Sequence, residues 1–87
     1  MLSNWATKYY EMPIFFLIDG IKIIFYFNDH NPPHFHALFG GEELVIEIKS
    51  LNIMEGELPK SQMKKVKKFA KENQEILMEI WDEMSAK

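Results

Sequence analysis

Residues 34–48, HFHALFGGEELVIEI, decide the fold, because they read as two strands joined by a tight turn. Paired glycines supply the positive φ angles of two-residue β-turns, so Gly40-Gly41 predicts a hairpin. Such a turn fixes the register and places His34 opposite Glu47. The apolar face then consists of Phe35, Ala37, Phe39, Leu44 and Ile46. The opposite face carries His34 and His36 toward solvent or a partner.

A second hairpin precedes it in residues 13–27, PIFFLIDGIKIIFYF. Asp19-Gly20 is a turn sequence of the same kind, between two runs rich in β-branched and aromatic residues. The side chains expected on its core face are Ile14, Phe16, Ile18, Ile21, Ile23 and Phe25. The prolines of NDHNPP end the second strand, because proline cannot donate to a strand ladder. A short fifth strand is predicted within LNIMEGEL at 51–58.

The segment from about residue 60 to residue 85 is predicted to be helical, since its apolar residues recur at spacings of three and four. An unbroken helix of this length would extend about 39 Å, whereas a domain of this size has a diameter of roughly 30 Å. The helix therefore either breaks near Glu72-Asn73 or projects one end onto a partner. We favour the break, because Asn73 falls on the apolar stripe.

These segments together predict an α+β fold. An antiparallel sheet of four to five strands, built from two hairpins, packs against a C-terminal helix or a broken helix pair. Residues 12–87 form the single domain expected for this length, and residues 1–11 are interpreted as an N-terminal extension. The longest apolar stretch, at 12–27, is interrupted by Asp19, Gly20 and Lys22, so no membrane span is predicted.

Composition narrows the classes of function. The chain has 87 residues, no cysteine and a net charge of -3, and its 10 basic residues are all lysines. Disulfides and thiolate metal sites are excluded, and a reducing, cytoplasmic location is expected. The absence of arginine argues against a bidentate clamp on phosphate, and the acidic balance supports nucleic-acid binding only weakly.

The histidines of the chain all fall near one another, in DHNPPHFHA at 29–37. Two imidazoles at alternate positions of a strand share one face, and a third from the preceding loop would complete a set that holds a divalent metal such as zinc. The candidate metal ligands are His30, His34, His36 and Glu47. The candidates for supporting hydrogen bonds, or for the turn itself, are Asp29 and Asn31.

The same residues allow two other interpretations. A carboxylate beside an imidazole, such as Asp29 beside His30, could perform acid–base chemistry without a metal. A structural corner between the hairpins, or a docking face for another protein, would use the same prolines and polar groups. The spacing H-x3-H-x-H matches no closed metal motif, so the sequence leaves these alternatives open.

A lysine-rich stretch, KSQMKKVKKFAK at 60–71, begins the predicted helix. Cations at the start of a helix interact unfavourably with its macrodipole, so we expect a compensating interaction with negative charge. Local pairing of Lys68 with Glu72 and of Lys71 with Glu75 is one offset. An acidic or phosphate-bearing partner is the other. The residues that would contact such a partner are Lys64, Lys67, Lys68 and Lys71.

The pattern resembles a family of small prokaryotic proteins described as domain-of-unknown-function 4160. DHNPPHFHA carries the resemblance, Gly40-Gly41 and Trp81 support it, and it covers about residues 12–84. Members of that family commonly lie beside a second small protein, domain-of-unknown-function 2442, in an arrangement like a toxin–antitoxin pair. The resemblance implies a protein partner encoded nearby and supplies no catalytic residues.

Two functions therefore stay open. The first is a partner-binding, toxin-like component of a toxin–antitoxin-like pair. Within this first function, an exposed edge at the fifth strand would also permit a homodimer through strand-to-strand pairing. The second is a metal-dependent hydrolase or nuclease that uses the cluster of His30, His34 and His36.

Overall fold

Both predicted hairpins form in the structure, a computed structural model that describes residues 15–27 and 29–85. The strands of the first are β1 (Phe15–Ile18) and β2 (Ile21–Ile24), and those of the second are β3 (His34–Phe39) and β4 (Glu42–Glu47). The predicted registers are confirmed, with Ile18 opposite Ile21 and His34 opposite Glu47. The predicted core position Ile14 and the proposed extension at 1–11 lie outside the described residues.

The strands form one antiparallel sheet in the order β1-β2-β3-β4-β5, in which β5 (Ile53–Gly56) is the short fifth strand expected from the sequence. Both hairpin turns have positive φ at both central residues, as a type I′ turn requires. Because β3 is the central strand, the side chains at its start lie beside the end of β2 and the end of β4.

The helical segment is broken at Asn73, as predicted. It consists of α1 (Lys60–Glu72) and α2 (Gln74–Ser85). The Asn73 side-chain amide donates to the Phe69 carbonyl oxygen at 2.8 Å, and the Leu77 N–H donates to the Asn73 carbonyl oxygen at 2.9 Å. The Asn73 side chain thus satisfies a free carbonyl in the last turn of α1, and the Asn73 carbonyl accepts the first hydrogen bond within α2.

The apolar face predicted for the hairpins forms the core. The sheet contributes the buried residues Ile21, Ile23, Phe25, Phe35, Ala37, Leu44, Ile46 and Ile48. The helices contribute Val66, Ala70, Leu77, Trp81 and Met84. The α+β architecture is therefore confirmed, with the helices packed on one face of the sheet. Neither described helix is long and apolar enough to cross a membrane.

Candidate metal centre

Three side chains from the start of β3 and from the loop before it meet at one point. Oδ2 of Asp29 lies 2.9 Å from Nε2 of His34 and 3.2 Å from Nε2 of His36. One ligand atom from each residue lies within 4.8 Å of the other two. The ligand atoms of a tetrahedral zinc with bonds of about 2.0–2.1 Å stand roughly 3.3 Å apart. The cluster therefore has nearly the dimensions of a metal site.

The local sequence explains why these side chains converge. His34 and His36 are two residues apart on β3, so both rings project from one face of the sheet, with ring centroids 5.2 Å apart. The proline pair at 32–33 keeps the preceding loop out of the strand ladder. The loop returns the Asp29 carboxylate to the two rings, and its Oδ1 accepts the His30 backbone N–H at 3.1 Å.

The second nitrogen of each ring is also held by a hydrogen-bond acceptor. Nδ1 of His34 lies 2.6 Å from the carbonyl oxygen of Pro32, and Nδ1 of His36 lies 2.7 Å from Oε2 of Glu43. Metal-binding histidines almost always donate their other ring N–H to a backbone carbonyl, a carboxylate or water. These contacts fix both rings and leave both Nε2 atoms directed at Asp29.

Two neutral rings carry too few protons for all of these contacts. A carbonyl oxygen only accepts, so Nδ1 of His34 carries a proton and Nε2 of the neutral ring is a lone pair. That lone pair faces a carboxylate oxygen of Asp29, where two acceptors repel. His36 lies between two carboxylates, and a neutral ring can donate to only one of them. A cation between the Nε2 atoms and Asp29 removes both repulsions, and so does a second proton on each ring.

Aromatic side chains enclose the cluster on two sides. The His34 side chain is 4% exposed, that of His36 is 14% exposed and that of Asp29 is 16% exposed. Trp81 packs on His34 with ring centroids 5.1 Å apart, and Tyr26 meets His36 edge-on at 4.7 Å. Asp29 and His36 keep some exposure to solvent, which a catalytic metal needs for a bound water.

The charge around the cluster is negative. Burial raises the pKa of Asp29, but its contacts with His36 and His34 and the hydrogen bond from the His30 N–H hold that pKa below its ordinary value. Burial raises the pKa of the Tyr26 hydroxyl, and the carboxylates of Glu43 and Asp29 raise it further. Asp29 is therefore ionised at neutral pH, as a carboxylate ligand must be.

Residues 20–82 match the profile of the family described as Domain of unknown function (DUF4160). The chain belongs to the DUF4160 family. The matched range includes Asp29, both strand histidines, Glu43 and Trp81, so the whole cluster lies within the DUF4160 domain. Neither the curated proteins nor the solved structures yield a significant match to the chain.

In this DUF4160 protein, two of the three predicted histidine ligands come together, and Asp29 takes the third position. The His30 side chain is 90% exposed, and its Nδ1 lies 3.4 Å from Oδ1 of Asp29, on the outer side of the carboxylate. Glu47 pairs with His34 in the register, but its carboxylate accepts the Ser50 hydroxyl at 2.6 Å. Asn31 is exposed and lies outside the ligand group.

The two strand histidines are expected to face solvent or a partner, but His34 is buried and Trp81 of the same chain packs on its ring. The sequence reasoning also missed Glu43. His36 pairs with Val45, and Glu43 lies two residues from Val45 on the same face of the sheet. Glu43 is therefore a diagonal neighbour of His36, close enough for its long side chain to reach the imidazole.

The lysines predicted to contact a phosphate or an acidic partner all lie on α1, which packs against the sheet face opposite to His36. They are Lys64, Lys67, Lys68 and Lys71.

Proposed function

We propose that this protein binds one divalent cation, preferably zinc, and acts as a metal-dependent hydrolase. The ligands are Nε2 of His34, Nε2 of His36 and Oδ2 of Asp29. The observation that carries the proposal is the convergence of two Nε2 atoms on one carboxylate oxygen while acceptors hold both Nδ1 atoms. Two histidines and a carboxylate serve both zinc hydrolases and Fe(II) oxygenases. We favour zinc because its catalytic sites need only one exchangeable position, and the low exposure of His36 and Asp29, 14% and 16%, leaves little room for more.

A bound zinc would supply a water of lowered pKa as the nucleophile. The chain's own residues orient the ligands: the Pro32 carbonyl and the Glu43 carboxylate fix the imidazoles, and Trp81 excludes water from one side. Within residues 15–27 and 29–85, no lysine forms an ion pair with Asp29 or Glu43. With the ion bound, its charge is balanced by the carboxylates of Asp29 and Glu43, so the centre has no net positive charge that would attract a polyanion. We therefore favour a neutral ester or amide over a nucleic acid as the substrate.

Calorimetric titration of the metal-free, tagless protein with Zn²⁺ tests the site. We expect one ion per chain. The variant His34→Ala/His36→Ala should bind at least about 100-fold more weakly, because two of three ligands are lost and even supporting residues contribute about 10–100-fold. His30→Ala removes an imidazole that lies outside the cluster, so it should bind like the wild type. No saturable binding, or an equal loss in the His30 variant, would overturn the assignment.

Hydrolysis is tested separately with the zinc-loaded protein and p-nitrophenyl acetate, a neutral activated ester. We expect turnover that a chelator abolishes and that the double histidine variant lacks. A mixed-sequence RNA serves as the polyanionic comparison. If the protein binds zinc but hydrolyses neither substrate, the enzymatic part of the proposal is wrong. If it cleaves RNA faster than the ester, the preference for a neutral substrate is wrong.

Glu43→Gln is expected to weaken zinc binding by about 10–100-fold, the usual effect of losing the partner of a ligating histidine. The carboxylate that holds Nδ1 of His36 at 2.7 Å is replaced by a neutral, weaker acceptor. Glu42→Gln is the matched control, because it removes the same charge from the adjacent, exposed residue. Equal losses in the two variants would show that only the overall charge matters.

The edge of the sheet bears on the partner-binding alternative. β5 is the last strand of the sheet, and it exposes Ile53 at 39% and Met54 at 41%. An unpaired strand edge can accept a strand from another chain. Association with a partner encoded nearby, as in a toxin–antitoxin pair, stays a prediction that co-purification with that partner would test.

A further inference from the structure

Helix α1 concentrates the positive charge of the chain. Its 13 residues include six lysines and one glutamate, whereas the whole chain has a net charge of -3. Only Lys60 lies in the first turn, where the helix macrodipole disfavours a cation, and the other five lysines are spread over the rest of the helix. The first turn contains no acidic residue, and Pro59 at the N-cap provides no side-chain hydrogen bond. Nothing within the first turn therefore offsets the charge of Lys60.

Four of the lysines form a straight row. At 3.6 residues per turn, these four residues fall within about 60° of the helix circumference and extend about 16 Å along its axis. They are Lys60, Lys64, Lys67 and Lys71, and all four are exposed. We call them the lysine row.

The lysine row differs from the other two lysines of α1 in its pairing. Lys65 pairs with Asp19 at 3.3 Å, and Lys68 pairs with Glu72 at 3.6 Å, as the sequence predicts for the second pair. No member of the row lies within 4.0 Å of a carboxylate among the described residues, so the predicted pair of Lys71 with Glu75 is wrong. Local pairing therefore neutralises the flank of α1 and leaves the row with its full charge.

We propose that the lysine row binds the phosphate backbone of nucleic acids without regard to base sequence. Charge complementarity defines the ligand as a polyanion. A protein partner fits less well, because interface cores are apolar and depleted of lysine, and no large exposed hydrophobic residue of the described chain lies on α1. The row has no arginine and no aromatic residue, so it has neither the bidentate donor nor the stacking surface used to distinguish bases.

This site is independent of the proposed metal centre. The buried residues Val66 and Ala70 pack α1 on the core face of the sheet, whereas His36 projects from the other face. A backbone held by the lysine row would therefore not lie over Asp29. Binding should be unchanged by a chelator, and its failure would leave the metal assignment untouched.

The salt dependence of binding tests the proposal. A labelled mixed-sequence RNA of 20 nucleotides is titrated with the protein, in a chelator, at KCl concentrations from 20 to 200 mM, and anisotropy is recorded. Neutralising about four phosphates of a single strand predicts a slope of log K against log[KCl] of about -3. Lys64→Gln/Lys67→Gln should reduce the slope to about half and weaken binding at 50 mM KCl by at least about tenfold.

Lys22→Gln/Lys49→Gln is the matched control, because it removes two exposed lysines outside α1. It should leave the slope unchanged. The proposal is overturned by the absence of salt-dependent binding, or by an equal loss in the control. It is also overturned if a polyglutamate peptide of the same charge displaces the RNA as well as unlabelled RNA does, which would identify an acidic protein as the better ligand.

Discussion

Asp29→Asn is expected to abolish the stabilisation that zinc gives to the wild-type protein. A ligand that binds only the folded state adds about 2.7 kcal/mol to the free energy of unfolding at one hundred times its dissociation constant. For a domain of this size, that gain raises the Tm by roughly 10–20 °C. Asparagine offers a neutral, weaker ligand where Oδ2 now lies 2.9 Å and 3.2 Å from the two imidazoles. Scanning calorimetry with and without zinc measures the gain for each variant.

Asp82→Asn is the matched control for this experiment. It makes the same change of charge at an exposed residue of α2, outside the cluster. Its zinc-dependent rise in Tm should equal that of the wild type. The quantity compared between variants is the rise in Tm on adding zinc, and not the Tm itself. This removes the effect that each substitution has on the stability of the metal-free protein. An undiminished gain in Asp29→Asn would remove this carboxylate from the ligand set.

Leu77→Ala is expected to lower the free energy of unfolding by about 2–5 kcal/mol, the range for truncating a fully buried leucine. Leu77 is 0% exposed within the core between the sheet and α2. Because a domain of this length has a total stability of about 4–13 kcal/mol, the variant should be close to unfolding. Urea denaturation followed by circular dichroism measures the loss.

The adjacent residue provides the control for the core. Ile76 is 50% exposed, so Ile76→Ala should change the free energy of unfolding by about 0.5 kcal/mol or less. Similar losses from the two substitutions would show that α2 does not present Leu77 to the sheet as described. The two variants together therefore test the orientation of the helix that places Trp81 beside the proposed metal centre.

Most of the fold could be predicted because the deciding signals are local. Asp19-Gly20 and Gly40-Gly41 fix the lengths of two turns, and a two-residue turn determines the register of its strands. Alternation then assigns each side chain to a face. The break at Asn73 followed from the mismatch between helix length and domain size, together with a polar residue on the apolar stripe.

The candidate site was less predictable because it depends on the path of a loop and on diagonal contacts. The sequence places His34 and His36 on one face, but it does not specify which residue of the loop at 29–33 turns back toward them. Asp29 does so, and His30 points outward. The register predicted from the turn correctly places Glu47 opposite His34. The Glu47 side chain is flexible, however, and its carboxylate accepts a hydrogen bond from the Ser50 hydroxyl and not from His34.

The most direct test of the central claim is a histidine-selective ¹⁵N NMR spectrum of the protein, recorded before and after one equivalent of zinc. The predicted result is that His34 and His36 carry their protons on Nδ1, that zinc shifts the Nε2 resonances of both rings, and that neither nitrogen of His30 shifts. Coordination through Nδ1, a zinc-dependent shift of His30 in place of either strand histidine, or a spectrum that zinc leaves unchanged would contradict the metal centre of Asp29, His34 and His36.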